Sequence, residues 1–420
     1  MESLVNTRNR DLTFQSTKTR RNKLLYDWLT ETDHMKVMGR TFKSIPHRYV
    51  SAAYSVESTS PLPKEEQYKK LLHLGSYNYS GLNGHHLVLK ASKEALEKYG
   101  VTTSGVRLLN GTTDLHVEFE KKLANFLGVE DVLTYSSGFS ANVSVISALC
   151  SEKDVILSDE LNHQSIIDGI KLSGAKYIKY KHRDSDSLKG ALEGLPYVQR
   201  KFIITDGIFS MDGDVAKLDE LVLLAEKYNA FIIVDDAHAT AAFGPYGRGT
   251  PSHFKVEKEI DILTGSLSKG LPGVGGFAAG SKETIDILRW GSNGYMFSAS
   301  LPPSVIGGLI AAIDILEKNP DIQEKLHENE KYLRDGIQQI GLNVLHSESP
   351  IIPIILPDRN TTLRFADLLH QEGVYVNPVF FPAVSRKLPR LRLNTSAALE
   401  KSDLNYTLNA IEKVALSILK

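Results

Sequence analysis

Thr264-Gly-Ser-Leu-Ser-Lys-Gly-Leu-Pro-Gly-Val-Gly-Gly-Phe277 sets one lysine between small hydroxyl residues and a glycine-rich turn. Asp261-Ile-Leu-Thr264 before it ends a strand, and Gly276-Phe-Ala-Ala279 opens another. Ser266 and Ser268 carry hydroxyls that donate to an anion. Gly270, Gly273, Gly275 and Gly276 let backbone pass close to a ligand. Two readings of Lys269 stand at this point. One is a surface lysine opening a turn; the other is an amine that forms a Schiff base with a carbonyl cofactor.

Outward from this stretch, strand and helix signals alternate. Val132–Tyr135, Val155–Ser158, Tyr177–Tyr180, Phe202–Thr205 and Phe231–Asp235 are short apolar runs. Helical spacing fills the gaps, notably Ala141–Leu149 and Leu218–Tyr228. Alternation of this kind predicts an α/β domain with a mostly parallel sheet covered on both faces. Ligands then bind beyond the carboxyl ends of the strands. Upstream, Val88–Tyr99 is a helix stopped by Gly100, Thr102–Thr113 is a long polar loop, and His116–Leu127 is an amphipathic helix. Downstream of Ser300-Leu-Pro-Pro303 the texture changes. Long helices (Val305–Glu317, Ile322–Ile340) lead to strands at 350–357, 375–377 and 391–394 and a closing helix, Leu404–Leu419. The expected division is an N-terminal segment 1–72, a large domain 73–300 and a smaller α+β C-terminal domain 301–420. Ser60-Pro-Leu-Pro63 is expected to be a linker. Lys18, Arg20, Arg21 and Lys23 form a basic cluster, a solvated helix face or a weak attraction to acidic lipid.

The chain has 420 residues, a formal net charge of −1 and 42% apolar residues. A near-zero charge argues against a nucleic-acid or membrane field, leaving at most peripheral membrane contact. The single cysteine, Cys150, excludes an intrachain disulfide framework and a cysteine-based zinc site. No apolar run spans a bilayer and no signal-peptide pattern opens the chain, so a cytoplasmic location is expected.

The residues after each strand form a list. Ser136-Ser-Gly138-Phe139 turns from strand to helix, where unpaired amides attract a phosphate or where a plain N-cap sits. His163 follows the next strand and suits ring stacking, proton transfer or a structural hydrogen bond. Ser210 follows a third, in a polar turn. Asp235-Asp-Ala-His238 ends the most apolar strand, where a carboxylate needs a partner. A pyridinium nitrogen would serve. Metal binding by Asp235, Asp236 and His238 is the rival, weakened because no second histidine-rich element is present. The bland alternatives stand one by one; together, at successive strand ends, these residues make a pyridoxal-phosphate site with Lys269 as the attachment point.

The motifs Gly-Ser-Tyr-Asn-Tyr-Ser-Gly-Leu, Ser-Gly-Val-Arg-Leu-Leu-Asn-Gly-Thr, Ser-Ser-Gly-Phe-Ser-Ala-Asn, Asp-Asp-Ala-His and Gly-Ser-Leu-Ser-Lys resemble the α-oxoamine synthases, fold-type-I pyridoxal-phosphate enzymes. The likeness runs from about Leu74 to Leu399. Within the family the chain is most similar to the soluble bacterial serine palmitoyltransferase branch. The resemblance implies that Lys269 holds the cofactor and moves the Cα proton, and that Asp235 pairs with the ring nitrogen. It implies that His163 stacks on the ring and that Ser210 and His238 bond its 3′-oxygen. Gly138, Phe139, Ser266 and Ser268 would take the phosphate, and Arg392 and Asn78 the amino acid. Ser298-Ala-Ser300 would enter the site of a second subunit, which implies a homodimer with a shared active site. No resident metal is implied. Departures are Ser266 for threonine, Asp206 and Asp236 for glutamate, Val106 for serine, Pro272 in the glycine turn, and Leu399 where histidine often stands.

The implied reaction is a decarboxylative condensation of an amino acid with an acyl thioester. Serine and a long-chain acyl-coenzyme A are favoured, giving a product such as 3-ketosphinganine. The alternative is glycine or alanine, or a carrier-protein thioester, as in 8-amino-7-oxononanoate synthase or 2-amino-3-ketobutyrate CoA ligase. A non-catalytic partner subunit is the rival from another class.

Overall fold

The structure, a computed structural model, describes residues 57–61 and 68–419. The basic cluster Lys18, Arg20, Arg21 and Lys23 lies outside the described residues. In chain order the strands are β1 (Glu57–Pro61), β2 (Tyr68–His73), β3 (Asp131–Tyr135), β4 (Val155–Asp159), β5 (Lys176–Tyr180), β6 (Lys201–Asp206) and β7 (Phe231–Asp235). They continue with β8 (Ile262–Ser266), β9 (Gly276–Gly280), β10 (Ile351–Ile355), β11 (Val374–Tyr375), β12 (Asn377–Val379) and β13 (Arg390–Asn394).

Seven of them form the central sheet, in the order β3-β9-β8-β7-β6-β4-β5. Strands β8, β7, β6, β4 and β5 pair in parallel, while β9 runs against both its neighbours. The sheet is mostly parallel, and its strands are apolar because helices cover both faces. Strands β4, β6 and β8 are buried along their whole length. Strand β9 departs from the alternating pattern because β8 returns to it through the nine-residue turn that carries Lys269, too short for a crossover helix.

A second three-stranded sheet, β10-β13-β12, is antiparallel, and the helices Arg359–Gln371 and Lys401–Ile418 pack in the same apolar core. Strand β2 pairs in parallel with β11, and Leu74 enters this core. The helix Pro303–Lys318 packs into the large unit's core through Ile306, Leu309 and Ile313, although the expected boundary at 301 places it with the C-terminal unit. Ser60 and Pro61 are not in a linker. They lie in β1, an edge strand paired with β2, where a proline without an N–H is tolerated. No helix among the described residues is long and apolar enough to cross a membrane.

Parallel strands share one carboxyl edge. Tyr135, Asp159, Asp206, Asp235 and Ser266 therefore end their strands side by side, and β9 starts at the same edge with Gly276. A Cβ on Gly276 would lie 2.4 Å from the Ser137 carbonyl oxygen, so only glycine lets β9 approach the start of the helix Gly138–Leu149.

Candidate active site

A cavity of about 320 Å3 opens above that edge. At one end lies the N-terminus of the helix Gly138–Leu149. Ser137 caps it, its Oγ accepting from the Ser140 amide at 3.0 Å. The first amides of a helix have no intrahelical acceptor and favour an anion. Ser266 and Ser268, 2.8 Å apart through their hydroxyls, line the same cavity. Phe139, half exposed, meets the edge of the His163 ring.

At the other end Asp235 is buried. Its Oδ1 accepts from the Ala237 amide at 3.0 Å, and its Oδ2 from Asn142 Nδ2 at 2.5 Å. His238 is buried and its Nδ1 lies 2.8 Å from the Tyr79 hydroxyl. Burial, then the charges of Lys269, Arg392 and His163, push the His238 pKa well below its ordinary value, so the ring is neutral. His163 is also lowered, chiefly by burial, with Asp235 opposing and Lys269 adding to the shift. Asp206 is raised well above the usual carboxylate range, by burial and by Asp235 alongside.

Lys269 is half-buried, and its pKa is lowered to about 8. Desolvation is the main cause; Asp235 and Asp206 pull upward, and Arg392 pushes down. A neutral amine is the nucleophile that a carbonyl cofactor requires. Loading of the cofactor-free protein with pyridoxal phosphate is expected to quicken about tenfold per pH unit below pH 8, then level off. Stopped-flow absorbance checks this; a profile still climbing to pH 10 would mean an unperturbed lysine.

Arg392 is buried, with its guanidinium 4.9 Å above the Tyr77 ring. Nη1 donates to the Ser210 carbonyl at 3.1 Å, and Nε has no partner. No carboxylate pairs with Arg392 among the described residues. A buried guanidinium without a counter-ion suits a ligand carboxylate. Asn78 lies on a second cavity of about 290 Å3 that shares Ser268, Lys269 and Tyr77 with the first. Its Nδ2 is buried without a partner.

Ser300 lies elsewhere. Its Oγ meets Thr103 Oγ1 at 2.6 Å and its amide donates to Gly105, so within one chain it does not line the main cavity. The metal alternative is not supported. Thr250 engages both oxygens of Asp236 through its amide and hydroxyl. Burial first, opposed by these bonds, raises Asp236 to about 7. Among the described residues the metal-like cluster is instead His182, Asp212 and Asp214, and it is ion-paired. Arg183 and His182 hold Asp214, and Arg390 holds Asp212. Burial alone would lower His182, but Asp159 and Asp214 outweigh it and raise it to about 10. This network grips the turn that carries Ser210. Leu399, at the departure from histidine, is a buried core residue.

The reading from sequence missed Asn142, Ser165, Tyr77 and Tyr79. Asn142 is a buried amide on a helix face otherwise made of small and apolar residues (Ala141, Ser144, Val145, Ile146), which was the available signal. Tyr77 and Tyr79 stand in a quoted motif but have no pattern that separates function from packing.

Residues 69–411 match the family of class I and II aminotransferases. The chain is 44% identical over 347 residues to 8-amino-7-oxononanoate synthase of Thermoanaerobacter pseudethanolicus, covering 82% of this chain and 88% of that one. It is 39% identical over 355 residues to serine palmitoyltransferase of Bacteriovorax stolpii, covering 84% of each. The fold matches serine palmitoyltransferase of S. paucimobilis with a bound pyridoxal phosphate–myriocin aldimine, at TM-score 0.85 and 30% identity, covering 97% of this chain and 98% of that one.

Proposed function

The chain belongs to the α-oxoamine synthases, pyridoxal-phosphate acyltransferases within the class I and II aminotransferase family, and on that premise we propose that it joins alanine to an acyl thioester, in the manner of 8-amino-7-oxononanoate synthase. The observation that carries this reading is the 44% identity to 8-amino-7-oxononanoate synthase over 82% of the chain, beside a free anchor for an amino-acid carboxylate. Arg392 offers an unpaired Nε beside Lys269, and its walls are the Tyr77 ring and the Met211 sulfur, 3.9 Å from Nη1. The name 8-amino-7-oxononanoate also states its own disconnection. Cutting between the ketone and the amine-bearing carbon leaves a seven-carbon acyl group and the carbon frame of decarboxylated alanine.

The residues present fit the cofactor. The helix start, Ser266 and Ser268 would hold its phosphate, and Asp235 would face its ring nitrogen. His163 would cover the ring, His238 and Ser210 would meet its 3′-oxygen, and Lys269 would attach it. When bound, pyridoxal phosphate supplies an electron sink for negative charge at the amino-acid Cα. Arg392 binds the carboxylate and orients the Cα–H bond. Lys269 takes the Cα proton as the local base. The thioester enters past Asn78 by the second cavity. A carbon–carbon bond forms between Cα and the acyl carbon, thiolate leaves, carbon dioxide is lost from Cα, and Lys269 returns a proton to Cα.

Two copies sharing their sites belong to the same proposal. Ser298–Ser300 and the exposed Leu109, Trp290 and Phe297 offer a surface that a second copy would cover. The second reading is serine with a long-chain acyl-coenzyme A, the one the sequence motifs put first. It is favoured by the likeness to serine palmitoyltransferase across 97% of the chain.

The test is to offer holoprotein alanine, glycine and serine singly with coenzyme A and carrier-protein thioesters, and to identify products by mass. Alanine is expected to exceed serine by about tenfold or more in kcat/KM, the scale of one small-group difference. Preferred turnover of serine with palmitoyl-coenzyme A would replace the first reading by the second. Cofactor binding without any product would leave a non-catalytic subunit.

A further inference from the structure

Asn142 lies one turn inside the helix whose start faces the phosphate end of the cavity, and is 3% exposed. Its three contacts, with the Ser165–His163 bond beyond them, determine one another. A carboxylate only accepts, so the amide atom 2.5 Å from Asp235 Oδ2 is Nδ2. The other amide atom is then Oδ1, so Thr264 Oγ1, 2.6 Å away, donates to it. The second Nδ2 proton points to Ser165 Oγ at 2.9 Å. Ser165, having accepted, has its one proton for His163 Nδ1 at 2.7 Å. The Ser165 amide also donates to His163 Nδ1, at 3.3 Å, so Nδ1 is an acceptor, and in the neutral ring the proton sits on Nε2.

We propose that Asn142 is a positioning residue that holds, through one amide, both the carboxylate facing the cofactor ring nitrogen and the imidazole that covers the ring. The proposal rests on the cofactor and not on the choice of amino acid. The three links of Asn142 are buried and the Ser165–His163 link is part-buried; where water is excluded an unmade hydrogen bond is costly and a linked chain behaves as one unit. A neutral His163 can lie on a cationic pyridinium ring without repulsion. The charged groups facing His163 are Asp235, Asp206 and Lys269, with neutral His238 beside them. Their signs are mixed, so the Ser165 hydroxyl and amide supply a directional preference that charge does not.

The test uses Asn142→Ala, Asn142→Asp and Ser165→Ala. Two quantities are read: pyridoxal-phosphate affinity by titration, and the His163 Nδ1 shift by nitrogen NMR of the cofactor-free chain, which reports how strongly Nδ1 is hydrogen-bonded. Asn142→Ala is expected to weaken cofactor binding about 10- to 100-fold, the scale of one lost bond to a charged group. It also moves the His163 Nδ1 shift, because Ser165 Oγ loses the donor that turns its proton towards the ring. Asn142→Asp keeps the volume but presents acceptors to Asp235, and is expected to bind more weakly still. Ser165→Ala removes one of the two donors on Nδ1 and leaves the amide, so it moves the shift while affinity stays within about threefold. A folded Asn142→Ala that binds within twofold of the parent with an unchanged Nδ1 shift overturns the proposal. So does a Ser165→Ala with an unchanged Nδ1 shift, whether or not the Asn142 variants fold. None of these readouts uses an amino acid or thioester, so the outcome is independent of the substrate assignment.

Discussion

Lys269→Ala is expected to lose condensation by at least about 10⁴-fold while the protein gains stability. The first effect follows because one amine both attaches the cofactor and moves the Cα proton, and a positioned base alone contributes about 10²–10⁴. The second follows from the same environment. The fall of the Lys269 pKa from 10.5 to about 8 corresponds to about 3 kcal/mol against its charged form. Folding therefore penalises Lys269 wherever it is protonated in both states, below about pH 8. Between about pH 8 and 10.5 the unfolded chain holds the proton that the folded chain has released, so the penalty fades as pH rises. The cofactor-free variant should exceed the parent in urea midpoint at pH 7, with the gain shrinking towards pH 10. Single-turnover assays and paired denaturation curves measure both effects. A variant that retains the lysine-linked visible band, or is less stable than the parent at pH 7, would refute the assignment of this lysine.

Asp235→Asn is expected to cost about 10²–10³-fold in kcat with a smaller change in KM. The substitution keeps the shape and removes the negative charge facing the ring nitrogen, the kind of loss that acts mainly in the transition state. It has a second, separable signature. Asp235 raises the Lys269 pKa in the folded chain, so its neutralisation lowers that pKa further. The pH midpoint of cofactor loading should then fall below 8. Asparagine at 235 also places an amide opposite Asn142 Nδ2, which has to find an oxygen there. A kcat within tenfold of the parent, or a loading midpoint moved upward, would contradict the role.

Much of this site is legible along the chain because its parts are local. Each strand is a run of apolar residues, and each functional group sits within a few residues of a strand end. Parallel pairing then brings Gly138, His163, Ser210, Asp235 and Lys269 to one edge without further instruction. Arg392 and Asn142 are different. Arg392 reaches the site because β13 belongs to the small unit and its Nη1 meets the Ser210 carbonyl. Asn142 acquires meaning from Asp235, 93 residues later, and from Thr264, 122 residues later. The small unit's share in gripping the Ser210 turn, through Arg390 and through Ser349 Oγ on the Gly213 carbonyl, has no pattern in sequence.

The sequence by itself determined the α/β architecture, the family and the strand-end groups proposed to handle the cofactor, since alternating apolar runs and strand-end residues are properties of short segments. Tertiary structure decided which amide orients Asp235 and His163, what lowers Lys269 to about 8, and which guanidinium is left without a counter-ion. Those depend on burial and on distances between residues far apart in the chain. Hydrogen bonds and charges are strong only where folding has removed the water around them.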